Sequence, residues 1–160
     1  ITYLWGSETI PMPGSYQGNL IKNYFMNVLG ASYRFNNEVQ LTVEHLFNGL
    51  GDSDNLDASD IRLKNGVSTS LNKHLSAISL NYEFTPLLIG RYDTKFAWVD
   101  SSNQHNFSFN KSITENTDFV IGGQVNLGKR PNGTSWQNPN IQSEFGRLSN
   151  TYYIELKHYF

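Results

Sequence analysis

The last ten residues, Thr151-Tyr152-Tyr153-Ile154-Glu155-Leu156-Lys157-His158-Tyr159-Phe160, alternate strictly in character. Counting back from the end, Phe160, His158, Leu156, Ile154 and Tyr152 share one side of an extended chain. Tyr159, Lys157, Glu155, Tyr153 and Thr151 share the other. Successive side chains of a strand point to opposite faces, so this segment predicts a β-strand with one greasy and one charged face.

The same period of two runs outward through the chain. It predicts eight strands, at 1–6, 23–35, 38–48, 74–84, 87–100, 103–112, 117–128 and 150–160. Phe25, Leu29, Ala31, Tyr33 and Phe35 oppose Tyr24, Ser32 and Arg34, and Val39, Leu41, Val43 and Phe47 oppose Gln40, Thr42 and Glu44. Ile78, Leu80, Tyr82 and Phe84 oppose Ser79, Asn81 and Glu83, while Leu88, Tyr92, Phe96 and Trp98 oppose Arg91, Asp93 and Lys95. Phe107 and Phe109 oppose Asn106, Ser108 and Asn110; Phe119, Ile121, Val125 and Leu127 oppose Asp118, Gln124 and Asn126.

The connections sort by length. Phe35-Asn36-Asn37-Glu38, Phe84-Thr85-Pro86-Leu87 and Ile113-Thr114-Glu115-Asn116 read as tight turns. Ser7–Lys22, Gly49–Lys73 and Gly128–Ser149 read as long polar loops, with Asp100-Ser101-Ser102-Asn103 a short exception among them. In an up-and-down meander alternate connections lie at opposite ends, so the long loops gather at one end and the tight turns at the other. A membrane-spanning barrel sorts its loops in this way; a soluble sandwich has no reason to.

Composition agrees. Apolar residues make up 38% and aromatics 14% of 160 residues, the reverse of the aliphatic emphasis of a soluble core. Without cysteine there is no disulfide framework or thiolate metal site. A net charge of −2 gives no basic surface for nucleic acid. No segment approaches the roughly 20 apolar residues of a membrane helix, a test that strands escape by hiding hydrophobicity in alternation.

Alternation does not say which face is inside, since a lipocalin-like barrel would turn its apolar face inward. Two features favour the membrane orientation. Phe35, Tyr82, Phe84, Trp98, Tyr152 and Phe160 place rings near strand ends on the apolar face, as an aromatic girdle does. The opposite face carries charges of both signs at mid-strand, each of which would cost roughly 2–4 kcal/mol against lipid at the midplane. The expected fold is therefore an all-β, antiparallel up-and-down transmembrane β-barrel, residues 1–160 forming one outer-membrane barrel domain or barrel fragment. The long loops are expected outside the cell and the C-terminus in the periplasm.

The terminal strand, with Ile154, Leu156 and Phe160 on one face, resembles the signature that the barrel-assembly machinery reads in bacterial outer-membrane proteins; His158 departs from it. Val43-Glu44-His45-Leu46-Phe47-Asn48-Gly49, Leu80-Asn81-Tyr82-Glu83-Phe84-Thr85-Pro86-Leu87-Leu88, Ser112-Ile113-Thr114-Glu115-Asn116-Thr117-Asp118 and Ser143-Glu144-Phe145-Gly146 resemble segments of a group of largely uncharacterised proteobacterial outer-membrane proteins. There they fall in the C-terminal portion of a longer barrel. The resemblance implies a porin-like barrel, outer-membrane lipid and the assembly machinery as partners, and the last eight strands of a larger barrel over eight strands closing alone. It leaves solute and oligomeric state open.

Candidate chemistry follows from this frame. Arg34, Glu44, Glu83, Arg91, Asp93, Lys95, Asp118, Glu155 and Lys157 are expected to line the lumen, either as a charge filter or as mutually paired groups. Four positive and five negative charges nearly cancel, which favours pairing in a closed eight-stranded barrel; a wider barrel would give a wet wall. Asp52, Asp54, Asp57 and Asp60 are oxygen-rich, but Leu56 breaks the calcium-loop pattern and no glutamate closes it. A capped helical turn from Asp57 through Leu63 to Gly66 is favoured, and no metal or cofactor is expected. His45, His74, His105 and His158 invite an enzyme reading, because some outer-membrane barrels are lipid hydrolases with a His–Ser pair facing lipid. His74-Leu75-Ser76 is not a specific motif, so no catalytic residue is assigned. Asn132-Gly133-Thr134 reads as a turn, and Trp136 in the same loop is weak evidence for sugar stacking. A passive channel for small polar solutes is the first expectation, a sealed adhesion or structural barrel the second, and a lipid-modifying hydrolase the third.

Overall fold

A computed structural model describes residues 2–11, 19–49, 51, 70–132 and 141–160, with the backbone course alone for 2–11 and 19–24. These residues form eight strands and, among them, no helix: β1 (Thr2–Pro11), β2 (Asn19–Arg34), β3 (Val39–Asn48), β4 (His74–Thr85), β5 (Leu88–Ala97), β6 (Asn103–Thr114), β7 (Thr117–Leu127) and β8 (Thr151–His158). They make one antiparallel sheet in strict chain order, β1 through β8. The sheet is open, with no pairing between β1 and β8 among the described residues.

Seven of the expected strands lie within a few residues of their predicted bounds. The first connection is a correction. Ser7–Lys22 does not form a long loop, because β1 continues to Pro11 and β2 begins at Asn19, with Ile10 opposite Leu20. Thr9-Ile10 and Leu20-Ile21 extend the strands, and Pro11 ends β1 on its way out of the ladder. Because β2 meets β3 only from Met26 onward, the two strands run past the rest of the sheet as a two-stranded ribbon. The fifth strand also ends earlier than expected, since Trp98–Asp100 form a turn. The Asp52–Asp60 cluster, the helical turn to Gly66, Gly133, Thr134 and Trp136 lie outside the described residues.

Local chemistry explains the tight turns. Phe35 N–H donates to Val39 O at 2.8 Å around Asn36-Asn37-Glu38. Glu38 takes φ 65°, the left-handed position of a three-residue hairpin loop, and its carboxylate pairs with Arg34. The next two turns share another device. The register slips between Glu83 and Thr85 and between Ser112 and Thr114, and a two-residue loop follows. The hydroxyl of Thr85 accepts from Leu87 N–H at 3.3 Å, and that of Thr114 from Asn116 N–H at 3.4 Å. Tyr159 N–H donates to Asn116 O at 2.9 Å, so the C-terminus lies at this short-turn end.

Directly opposed residues of antiparallel strands share a face, so the register traces each face across the sheet. On one face Leu29, His45, Ser76, Phe96, Asn103 and Leu127 form a row, and Tyr33, Leu41, Leu80, Tyr92, Phe107, Gly123 and Tyr152 another. On the other face Ser32, Thr42, Ser79, Asp93, Asn106, Gln124 and Thr151 form a polar row. The apolar side chains do not gather into a core: Ile154 and Leu156 are each 69% exposed. Among the described residues the buried side chains are instead Leu71, Ala97, Val120 and Phe145 together with eight polar ones, including Asn48, Asn72, Gln104, Asn126 and Glu144. Such a balance is the opposite of a soluble interior.

Candidate functional site: the charged face and its loop cover

All nine residues expected to line a lumen share the polar face of the sheet. Glu44 opposes Ala77, which opposes Lys95; Arg34, Gln40, Asn81 and Arg91 form a row; Asp93 opposes Ser79. Glu83, Ile89, Asn110, Val120 and Glu155 form a row nearer the short turns, where Asp118 opposes Lys157. Much of the charge is paired locally. Arg91 Nε lies 2.9 Å from Asp93 Oδ2, Lys157 Nζ 3.1 Å from Glu155 Oε2, and Arg34 pairs with Glu38 at the turn. Asp93 also accepts from Ser79 Oγ at 2.5 Å, and Asp118 from Ser112 Oγ at 2.7 Å. Cavities of about 430 and 410 Å³ open on this face between Arg91, Asp93, Asn106 and their neighbours.

Toward the long-loop end a cover folds onto the polar face. Phe145 is buried, and it lines a cavity of about 340 Å³ together with Val28, Leu46, Leu75, Glu44, Ala77, Lys95 and Glu144. The small Ala77 side chain between Glu44 and Lys95 leaves this gap in the wall. Glu144, 5% exposed, is the hub. Its Oε2 accepts from Ser70 Oγ at 2.8 Å, Asn72 N at 3.1 Å and Asn72 Nδ2 at 2.6 Å. Asp100 accepts from Glu144 N at 2.7 Å, Asn72 Nδ2 at 3.1 Å and Ser102 N at 2.7 Å. Phe145 N–H donates to Ser102 Oγ at 3.2 Å, and Asn48 Nδ2 donates to Ser70 O at 3.1 Å. Three chain-distant segments, 70–73, 98–102 and 141–149, are thereby fastened together over the long-loop end of the polar face.

This network is what the sequence reading missed. Glu144 lies within Ser143-Glu144-Phe145-Gly146, quoted only for a resemblance, and Asp100 and Asn72 read as ordinary loop polars. The available signal was Phe145 beside Glu144 in a mostly polar loop: a ring there suggests an anchor.

On the apolar face the long-loop end holds a second cluster. His45 opposes Ser76, and His45 Nδ1 lies 3.0 Å from Ser76 Oγ. His45 Nε2 lies 3.3 Å from His74 Nδ1, and Trp98 Nε1–H donates to Ser76 Oγ at 2.9 Å. Trp98 is held there by its own N–H, which donates to His74 O at 3.1 Å. The other two histidines are apart from it: His105 Nδ1 pairs with Tyr92 Oη at 2.7 Å, and His158 Nδ1 with Thr117 Oγ1 at 2.9 Å. No group of three or more metal-binding side chains occurs among the described residues.

The girdle candidates divide between the two ends. Phe35, Tyr82 and Phe84 sit near the short turns, with Tyr82 and Phe84 in edge contact at 4.5 Å between centroids. Trp98 and Tyr152 lie toward the long loops, and Phe160 ends the chain at the short-turn end beside His158. No protein-family model matches the chain, and no curated protein or solved structure matches it.

Proposed function

We propose that this chain forms the wall of an outer-membrane β-barrel that acts as a porin-like passive channel for small polar solutes. The charged face looks into the lumen, the ring-rich face meets lipid, the long loops lie outside the cell, and Phe160 sits at the periplasmic rim, where Ile154, Leu156 and Phe160 engage the assembly machinery. One observation carries the reading: a single sheet whose two faces have opposite chemistry, with large apolar side chains left uncovered on one and charges paired on the other. Water would favour covering the apolar face; a bilayer makes its exposure the stable state. Strands of 10 to 12 residues in β3–β7 suit a tilted crossing of the hydrocarbon.

In hydrocarbon, unpaired strand edges are untenable, so β1 and β8 must be joined either to each other or through further strands. The cover bears on this choice. Eight strands closed alone leave an interior just filled by side chains. Segment 141–149 with its buried Phe145 already occupies the polar face, so closure through additional strands is favoured. Glu44, Lys95 and the cover then form a constriction of mixed charge with weak ion preference.

The test is conductance of the folded protein in planar bilayers. Stepwise ohmic currents in simple salt support the channel. Folded, inserted protein that passes no current removes it and leaves a sealed structural or adhesion barrel.

A further inference from the structure

We infer that Ser76, His45, His74 and Trp98 form an acyl-ester hydrolase site on the lipid-facing side of the barrel, at the long-loop rim. The inference rests on the membrane orientation proposed above. His45 lies three residues before the end of β3, Ser76 is the third residue of β4, and Trp98 follows the last residue of β5. Trp at a strand end marks the boundary between head groups and acyl chains, the depth at which the ester bonds of lipids lie.

The histidine tautomers allow two directions for these hydrogen bonds, and one of them is the catalytic order. Trp98 Nε1–H can only donate, so it takes a lone pair of Ser76 Oγ. In that order the Ser76 hydroxyl donates to His45 Nδ1, and His45 Nε2–H donates to His74 Nδ1. A serine proton faces an imidazole acceptor, and a second imidazole fixes that acceptor's tautomer. This is the relation of nucleophile, general base and orienting group that acyl transfer needs. The order Ser–His–His lies at the accessible rim, where Trp98 is 58% exposed and a lipid can reach it.

The chemistry balances without a cofactor. Ser76 Oγ attacks the acyl carbon while its proton passes to His45 Nδ1. The bond from the acyl carbon to the alcohol oxygen breaks, and His45 returns the proton to that oxygen. Water then attacks the acyl-serine, giving a proton to His45, which restores the Ser76 hydroxyl as the fatty acid leaves. Trp98 Nε1–H orients Ser76 Oγ at rest, and the acyl ester displaces it as the substrate enters. His74 touches no substrate and acts as a positioning residue. Lys73 Nζ lies 5.7 Å from the Phe47 ring centroid, and that ring packs edge-on against His74 at 5.3 Å. A cation at the edge of this cluster, over the ring that packs on His74, suits an amphiphile that carries both a fatty-acyl ester and a phosphate, a chemistry shared by glycerophospholipids and lipid A.

The test uses the whole protein folded in detergent micelles, with a long-chain alkyl fluorophosphonate as the covalent probe. Phosphatidylglycerol and hexa-acylated lipid A in mixed micelles are the two substrates. The expected result is an adduct on the Ser76 peptide and release of fatty acid, with the two substrates separating the head-group sources. Ser76→Ala removes the adduct, and His45→Gln slows release by about 10²–10⁴-fold. His74→Phe lowers kcat with KM unchanged, and His74→Asn, whose carbonyl can accept from His45 Nε2–H, restores part of it. Heat-modifiable migration reports barrel folding separately. Folded barrel with no Ser76 adduct and no fatty-acid release overturns the site alone; failure to form a barrel overturns the orientation and the site together.

Discussion

Replacing Glu144 by alanine should open the long-loop mouth without unfolding the strands. Oε2 of Glu144 accepts three hydrogen bonds in a site 5% exposed. Hydrogen bonds to a charged group each contribute about 1.5–3 kcal/mol, and donors left buried without a partner cost about 1–3 kcal/mol each. Asn72 Nδ2 retains Asp100, and the three bonds share one acceptor, so the sum is well below additive. A net loss of about 3–5 kcal/mol in docking of the cover follows, or roughly a 10²–10⁴-fold rise in its open population. Hydrogen exchange at Phe145 N–H, which donates to Ser102 Oγ, reads that population directly. The exchange rate should rise by about the same factor while β4–β7 amides stay protected, and single-channel conductance should increase. Unchanged exchange at Phe145 together with unchanged conductance would refute the cover as a docked element held by this carboxylate.

Three further outcomes follow from the two faces. Ile121→Arg, opposite Ile154 on the apolar face, should cost about 2–4 kcal/mol of folding stability in lipid vesicles, whereas Asn106→Arg on the polar face should leave stability nearly unchanged. Lys95→Glu should shift the reversal potential toward cation preference by reversing the positive charge across the cavity from Glu44, with little change in thermal stability. Gly122→Val should destabilise by about 1–3 kcal/mol in a urea refolding titration, because a Cβ there would stand 2.6 Å from Tyr153 Cζ and 2.8 Å from Phe107 O.

Strands were legible because the period of two is a local property: Ile154 and Leu156 against Glu155 and Lys157 need no partner to be recognised. Face assignment was equally legible, since one residue of parity fixes a whole strand, and Glu44, Lys95 and Asp93 fell where alternation put them. The first connection was misread because Ser7-Glu8-Thr9 is a polar run and Pro11 follows Ile10, so the alternation breaks where these two strands run past the rest of the sheet. Tertiary contacts were not legible. That His45 meets Ser76 depends on the pairing of β3 with β4 across a long loop, and a slip of one residue would have parted them. Glu144 meeting Asn72 depends on two loops folding onto one mouth, for which no periodic signal exists.

Site-directed spin labelling along β8 tests the orientation most directly, and the absence of native cysteine makes single labels clean. In lipid vesicles, labels at Ile154 and Leu156 should be reached by dissolved oxygen, and labels at Tyr153, Glu155 and Lys157 by a water-soluble nickel complex. Loss of that alternation, or its inversion with Glu155 and Lys157 in lipid, would contradict a wall that turns its charges inward.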